Sequence, residues 1–280
     1  KKILDINHIF KIFSKLKIKF FVMIDGGAGF GQATRAMLSV LEKNGKIIAF
    51  EPNLDNHKFL KFNDKRIILK KKALYSNTKN INFFIPSKVT KSKSNSKWSK
   101  YNGYSSVGHI FDFDKNKNSF YAFIKFFLYK FFFKKIKTVP AIRLDNILKI
   151  NCPIDFVKLD LQGGEYEALK GFGKKINQTK YFWIEYTGDS RIFKFFPRNK
   201  FNIYDTNYMS FKISKEHLES KGLKVVKKFI TSNNKKSLIS HRIKKIKNYT
   251  KWFNEICSYG FIQTDLFIIN KDYKNKKLKF

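Results

Sequence analysis

The stretch Phe20–Leu41, "FFVMIDGGAGFGQATRAMLSVL", decides the fold. An apolar run ends in Asp25 and passes through Gly26, Gly27, Gly29 and Gly31. The text then resumes with Ala33, Ala36, Met37, Val40 and Leu41 at helical spacing. A continuous apolar run reads as a strand buried on both faces, and the 3.6-residue period after it as a helix. That helix is expected to continue to Lys43 and close at Asn44-Gly45. Strand, glycine turn and helix form the first unit of a nucleotide-binding α/β sheet. Its ligand lies beyond the carboxyl ends of the strands.

Further strands and helices follow in alternation. "KIIAFEP" predicts a second strand ending at Glu51-Pro52, and "LDNHKFLKF" a helix. "RIILKKKALY", "INFFIP", "IDFVKLD", "KYFWIEY" and "TDLFIIN" are strand candidates, and "QGGEYEALKGF" opens a helix directly after Asp160. Residues 1–20 place Ile9, Phe10, Phe13, Leu16 and Phe20 at helical intervals and predict a preliminary helix on the sheet. The pattern predicts one domain over residues 1–280. Its sheet is mostly parallel and seven-stranded, with helices on both faces and an antiparallel last strand. Residues 87–137 read as a Ser/Lys/Asn-rich loop and a Phe-rich insert, a candidate lid, and 189–263 as a variable C-terminal elaboration. A helix over "SKEHLESKG" and a strand over "LKVVKKFI" fall in that last part.

The residues around the glycines discriminate between cofactors. A dinucleotide fingerprint counted from Gly27 and Gly29 puts Gln32 where Gly or Ala is required; counted from Gly29 it meets Thr34. Asp25 would repel a pyrophosphate, and no Walker lysine follows the loop. S-adenosylmethionine carries a sulfonium and an ammonium but no phosphate, so an acid at the strand end suits it. D-x-G-x-G-x-G is filled by Asp25, Gly27, Gly29 and Gly31, and Glu51 is placed to accept from the ribose hydroxyls. The competing reading is a glycine turn that only reverses the chain. Acids on both strand ends favour the cofactor. The candidate cofactor-binding residues are Asp25, Gly26, Gly27, Gly29, Gly31, Glu51 and Ala73; no metal site is expected.

"IDFVKLDLQGGEYEALKGF", Ile154–Phe172, is the second informative stretch. Lys158 and Asp160 share one strand face by the two-residue period, and Asp160 emerges at the carboxyl end. Together with "VMIDGGAGFGQAT", "IIAFEPN" and "AIRLDNIL", this stretch resembles the FkbM family of S-adenosylmethionine-dependent O-methyltransferases. The family's string K-x-D-x-Q/E-G-x-E-x-x-x-L-x-G is filled by Lys158, Asp160, Gln162, Gly163, Glu165, Leu169 and Gly171. "YSSV", Tyr104–Val107, resembles a Ser-Ser element of the family, and "YFWIEY" its fifth strand with the acid at Glu185. The resemblance covers roughly residues 21–186. Gly29 stands where the family commonly has Asn, and Gln32 where it has a small or aromatic residue.

The resemblance implies a Rossmann-like class I methyltransferase that transfers a methyl group to a hydroxyl of a sugar, glycan or natural product. Asp160 is then the preferred base or acceptor-orienting residue, with Glu165 in support, Glu185 as a further candidate and His109 as an outsider. Each has an ordinary structural alternative: Asp160 as a helix cap, Glu165 paired with Lys158, Glu185 paired with another lysine, His109 as a surface imidazole.

Composition sets the remaining bounds. Lys and Arg number 58 against 21 acids, a formal charge of +37, yet only six of the 58 are arginine. Abundant Lys, Asn, Ile and Phe with scarce Pro fit an AT-rich codon bias. The charge attracts anionic partners whatever its origin. It favours an RNA ribose 2′-O-methyltransferase as an alternative, against which no lysine follows the fifth strand to complete a Lys-Asp-Lys site. Nucleic-acid readers also prefer arginine forks. A catalytically idle binding module of the same fold is the other alternative.

Two cysteines, Cys152 and Cys257, make no framework and suit a reducing compartment. No signal peptide is expected, and Phe120–Phe133 is too short and too interrupted by lysine to span a bilayer. A cytoplasmic setting is expected. Lys125, Lys130, Lys134 and Lys135 around the Phe-rich insert give it an optional contact with an anionic membrane surface or lipid-linked glycan.

Overall fold

A computed structural model describes residues 6–85, 135–148, 152–206, 244–258, 264–273 and 278. Within them the long apolar runs pair as one sheet. Strands β1 (Phe20–Gly26), β2 (Leu41–Phe50), β3 (Ile67–Lys70), β7 (Ile154–Leu159) and β8 (Thr179–Tyr186) run parallel. Strand β11 (Thr264–Asn270) lies antiparallel between β8 and β9 (Phe201–Asp205), and the two-residue β10 (Lys244–Lys245) closes the edge. The order is β10-β9-β11-β8-β7-β1-β2-β3. This is a Rossmann-like α/β fold. Seven strands were expected, and the antiparallel last one is present. The short β10 makes eight among the described residues.

The two-residue period divides the strands' side chains between two cores. Ile24, Ile48, Val157, Leu159, Phe182, Ile184, Leu266 and Ile268 point to one face, where α3 (Glu165–Phe172) and α4 (Tyr249–Ser258) cover them. Met23, Ile47, Phe156, Tyr181, Trp183, Phe267 and Ile269 point to the other, under α1 (Ile6–Lys15) and α2 (Gln32–Met37). The preliminary helix is present as α1, and Ile9, Phe10 and Phe13 are its fully buried residues.

Several elements differ from expectation. Helix α2 ends at Met37, passes through a 3-10 turn at Leu38–Val40, and gives way to β2 at Leu41 rather than continuing to Lys43. Leu41 pairs with Phe20 and then Lys46 with Val22, so the strand bulges over Glu42–Gly45. Pairing with β1 has overridden a helical spacing that buries the same residues. Two N–H groups of β1 near the bulge donate to a side chain at the start of β7. The buried Asp155 takes both, from Phe21 at 2.6 Å and Val22 at 3.0 Å, and Lys180 pairs with it at 2.6 Å.

The "LDNHKFLKF" helix is a 3-10 segment, Leu54–Phe59. A second sheet of three strands, β4 (Ala73–Leu74), β6 (Lys135–Ile142) and β5 (Lys79–Ile85), was not anticipated. Its buried Ala73, Ile81, Phe83, Val139 and Ala141 form a small core of their own. Strand β9 and helix α4 were also unforeseen. The Ser/Lys loop, the "YSSV" element, His109, the Phe-rich insert, the "SKEHLESKG" helix and the "LKVVKKFI" strand lie outside the described residues. Among the described residues no helix is long and apolar enough to cross a membrane.

Candidate functional site

A cleft of about 150 Å³ opens at the carboxyl ends of β1, β2 and β7. Its walls come from the glycine turn, from Phe50–Pro52, from Ala73, Leu74 and Phe83 of the small sheet, and from Lys158–Gln162. Of the cofactor candidates, Gly27, Gly29, Glu51 and Ala73 line it; of the catalytic candidates, Asp160 does.

The glycine turn is shaped by backbone proximity. Gly27 has φ +79, and a Cβ there would lie 2.0 Å from the Asp160 carbonyl oxygen. Its N–H and that of Ala28 both donate to the Phe50 carbonyl, at 3.0 and 2.9 Å. The turn is thereby sewn to β2 on one side and pressed onto the end of β7 on the other. Gly29 N–H donates at 2.7 Å to Glu51 Oε2, and Asn53 N–H at 2.8 Å to Glu51 Oε1. Burial pushes the Glu51 carboxyl up to about 7 against these hydrogen bonds, that of Asn56 and the Lys158 charge.

Asp25 takes a different place from the one expected. It was read as meeting the cationic cofactor directly, but it is fully buried behind the cleft wall. Its Oδ2 accepts from Thr34 Oγ1 at 2.5 Å, and its Oδ1 faces the Lys158 ammonium at 3.2 Å. The carboxylate therefore acts through its field and its hold on Lys158. Gly26 and Gly31 are likewise absent from the wall, Gly31 being the left-handed N-cap of α2.

Lys158 is the hub. Its Nζ donates to the Gly27 carbonyl at 2.7 Å and stands 3.5 Å from Asp160 Oδ2. Burial lowers the affinity of its amine for a proton, but Asp25, Asp160 and Glu185 outweigh that and lift it above the ordinary lysine range. The ammonium is thus permanent.

The turn after β7 brings the catalytic candidates together unequally. Asp160 is the exposed member, with about a third of its side chain open. Gln162 Nε2 donates to Asp160 Oδ1 and to Glu185 Oε2, both at 2.8 Å. Glu185 is nearly buried and stands in a second row. Glu165 does not line the cleft: it is buried, with Oε1 accepting from Leu161 N–H at 2.7 Å and Oε2 from Gly163 N–H at 3.0 Å. Burial pushes it up to about 8, with Asp160 adding to the rise and the backbone donors opposing it. Its role is to brace the turn, and the alternative pairing with Lys158 does not occur.

Sequence reasoning passed over Gln162 as a functional side chain and treated it as part of a turn. The available signal was its place between two acids, Asp160 and Glu165, directly before Gly163-Gly164; the partner Glu185 is 23 residues away.

Comparisons with known proteins give the family. The methyltransferase FkbM domain profile matches residues 25–222. Among solved structures, methyltransferase FkbM from Methylobacillus flagellatus is 15% identical with a TM-score of 0.40, over 68% of this chain and 40% of that one. This chain therefore spans less than half the length of that protein. A protein described as a candidate rRNA methylase from Clostridium thermocellum is 10% identical (TM-score 0.38, over 94% and 93% of the two chains). A precorrin-6y C5,15-methyltransferase from Geobacter metallireducens is also 10% identical (TM-score 0.36, over 94% and 88%). A comparison with curated proteins returned no match.

Proposed function

The chain belongs to the methyltransferase FkbM family, and from that premise we propose that it transfers a methyl group from S-adenosylmethionine to a hydroxyl of a sugar, glycan or natural product. The observation that carries this reading is a reversal of charge. In a protein of formal charge +37, four carboxylates, Asp25, Glu51, Asp160 and Glu185, gather around the Lys158 ammonium at the cleft. Such a floor suits a cationic ligand and repels a pyrophosphate.

The residues present fit that cofactor. Glu51 offers a carboxylate at the wall, Gly27 and Gly29 offer bare backbone, and Ala73, Leu74, Pro52 and Phe83 offer apolar surface for an aromatic ring. S-adenosylmethionine would supply an electrophilic methyl carbon on its sulfonium sulfur. Asp160, exposed at the cleft and held at both oxygens, would orient the acceptor hydroxyl and take up its proton. Glu165 and Glu185 keep that carboxylate in place.

Calorimetric titration with S-adenosylmethionine and with NAD tests the cofactor. Binding of the first alone is expected, and binding of NAD alone would overturn the reading. Transfer of tritium from methyl-labelled cofactor to a glycan pool, compared with an RNA pool, tests the acceptor. Label in RNA alone would establish the ribose 2′-O alternative, which the overall charge favours and the acidic cleft opposes.

A further inference from the structure

We propose that Gln162 is the positioning residue of the acceptor side, its amide bridging Asp160 and Glu185 so that both are held in place. The inference takes its consequence for catalysis from the methyl-transfer reading above, but the bridge itself is testable without it.

Three observations carry it. The first is the backbone. Gln162 has φ +53, one of two positive-φ residues other than glycine among those described, Lys17 being the other. A side chain rarely occupies that region, and glycine or asparagine would enter it more easily. Strain of this kind persists where the surroundings over-determine it, often at functional sites. A turn required only to reverse the chain gains nothing from glutamine.

The second is the hydrogen bonding. An amide nitrogen carries two hydrogens, and here they go to two different carboxylates at equal distances of 2.8 Å. The opposite amide orientation would set an oxygen against two carboxylate oxygens. An ionised carboxylate only accepts, so a double donor between the pair favours the state in which neither holds a proton. The third is the way Asp160 is gripped. Gln162 holds Oδ1 while Lys158 faces Oδ2 at 3.5 Å, which fixes the plane of the carboxylate at the mouth of the cleft.

Among the described residues, the charged groups around Asp160 are Lys158 on β7, Asp25 on β1 behind that lysine, Glu165 on α3 and Glu185 on β8. Of these groups, Lys158 faces two of the acids directly, Asp25 and Asp160. A further carboxylate at position 162, which the family string also admits, would crowd a fifth acid into this set and draw a proton onto the cluster. Glutamine keeps the geometry of that side chain and removes the charge.

Two measurements decide it. In the protein without cofactor or acceptor, 15N-edited NMR is expected to show both Gln162 side-chain amide protons protected from exchange at neutral pH. Both should lose protection together on acidification. Exchange as fast as that of a solvent-exposed glutamine would overturn the bridge.

In the tritium-transfer assay with the glycan pool, Gln162→Glu is expected to move the acid limb of the pH–rate profile to higher pH, because like charge favours proton uptake. An unmoved limb would overturn the assignment. Gln162→Asn enters the left-handed region readily but is too short to span both acids. It should fold with an unchanged melting temperature and lower the rate roughly ten- to a hundredfold, the range that misplacing a reacting group produces. A rate within twofold of wild type would again count against the bridge. Failure of the wild type to label any hydroxyl overturns the methyl-transfer reading instead, and the NMR measurement still decides Gln162.

Discussion

The turn after β1 and the turn after β7 leave the same sheet edge side by side, and they are built from different materials. In the first, glycines let backbone approach backbone: Gly27 lies against the Asp160 carbonyl, and Gly29 N–H reaches Glu51. In the second, side chains determine the shape: Glu165 ties its own turn from inside, and Gln162 crosses to Glu185 on the next strand. One turn presents peptide groups to a ligand and the other presents an oriented carboxylate. Lys158 joins them, touching Gly27, Asp25 and Asp160 at once. On the proposed reading, a cofactor site made of backbone and an acceptor site made of side chains can vary independently only as far as that lysine allows.

The largest effect is expected where the two turns touch. Gly27→Ala would need a Cβ 2.0 Å from a backbone oxygen, at φ +79. Neither turn can yield without moving a strand end. A loss of roughly 5 kcal/mol or more is expected, at the extreme of single substitutions. Chemical denaturation would measure it, and a loss below about 1 kcal/mol would mean the two turns are not mechanically joined.

Next comes the joint itself. Lys158→Met removes the ammonium and leaves Asp25 fully buried with Thr34 alone as donor. Breaking a buried ion pair from one side costs about 3–5 kcal/mol, because an uncompensated charge remains. Adding Asp25→Asn should recover much of that loss, which a double-mutant cycle would show as strong coupling. Additive effects would remove Lys158 from its place between the turns.

The same contrast explains what the sequence disclosed. The turn after β1 was legible because its requirements are local: positive φ and close approach demand glycine at the positions where glycine stands. Glu51 was legible as the acid at the end of the second strand. The second turn was legible only as a motif. What Gln162 does depends on Glu185 arriving from β8, and what Glu165 does depends on N–H groups whose direction the turn sets. Asp25 was assigned the right charge and the wrong neighbour, since its burial under Lys158 is a tertiary fact. The end of α2 was misplaced for a related reason: Val40 and Leu41 are buried whether helix or strand carries them, so periodicity could not decide, and pairing with Phe20 did.

A pH experiment separates the two sides by a further step. Burial raises Glu51 from the usual carboxylate range near 4.5 to about 7. Between those values the folded chain holds a proton that the unfolded chain has released. The stabilising effect is therefore complete below pH 4.5 and fades as pH rises to about 7, on the order of 3 kcal/mol in all. The affinity for a hydroxyl-donating or cationic cofactor should move the other way, rising through pH 7 as Glu51 ionises. Denaturation midpoints and calorimetric affinities measured across that range should show opposite slopes. Parallel slopes would detach Glu51 from the cofactor.

The smallest effect belongs to Gly29, and its smallness is informative. A Cβ at Gly29 meets nothing within 4 Å, so the only cost of Gly29→Ala is the left-handed backbone at φ +55. That amounts to about 1 kcal/mol. Asparagine enters the same region more readily than alanine, so Gly29→Asn should cost less than Gly29→Ala in stability. The space beside Gly29 is part of the cleft, and there a side chain meets ligand rather than protein. If Gly29→Asn raises cofactor affinity while Gly29→Ala leaves it unchanged, the backbone turn has room for a side-chain contact, and the division between the two turns is a property of this chain. If both substitutions lower affinity equally, the bare backbone is itself the binding surface, and the division is built into the fold.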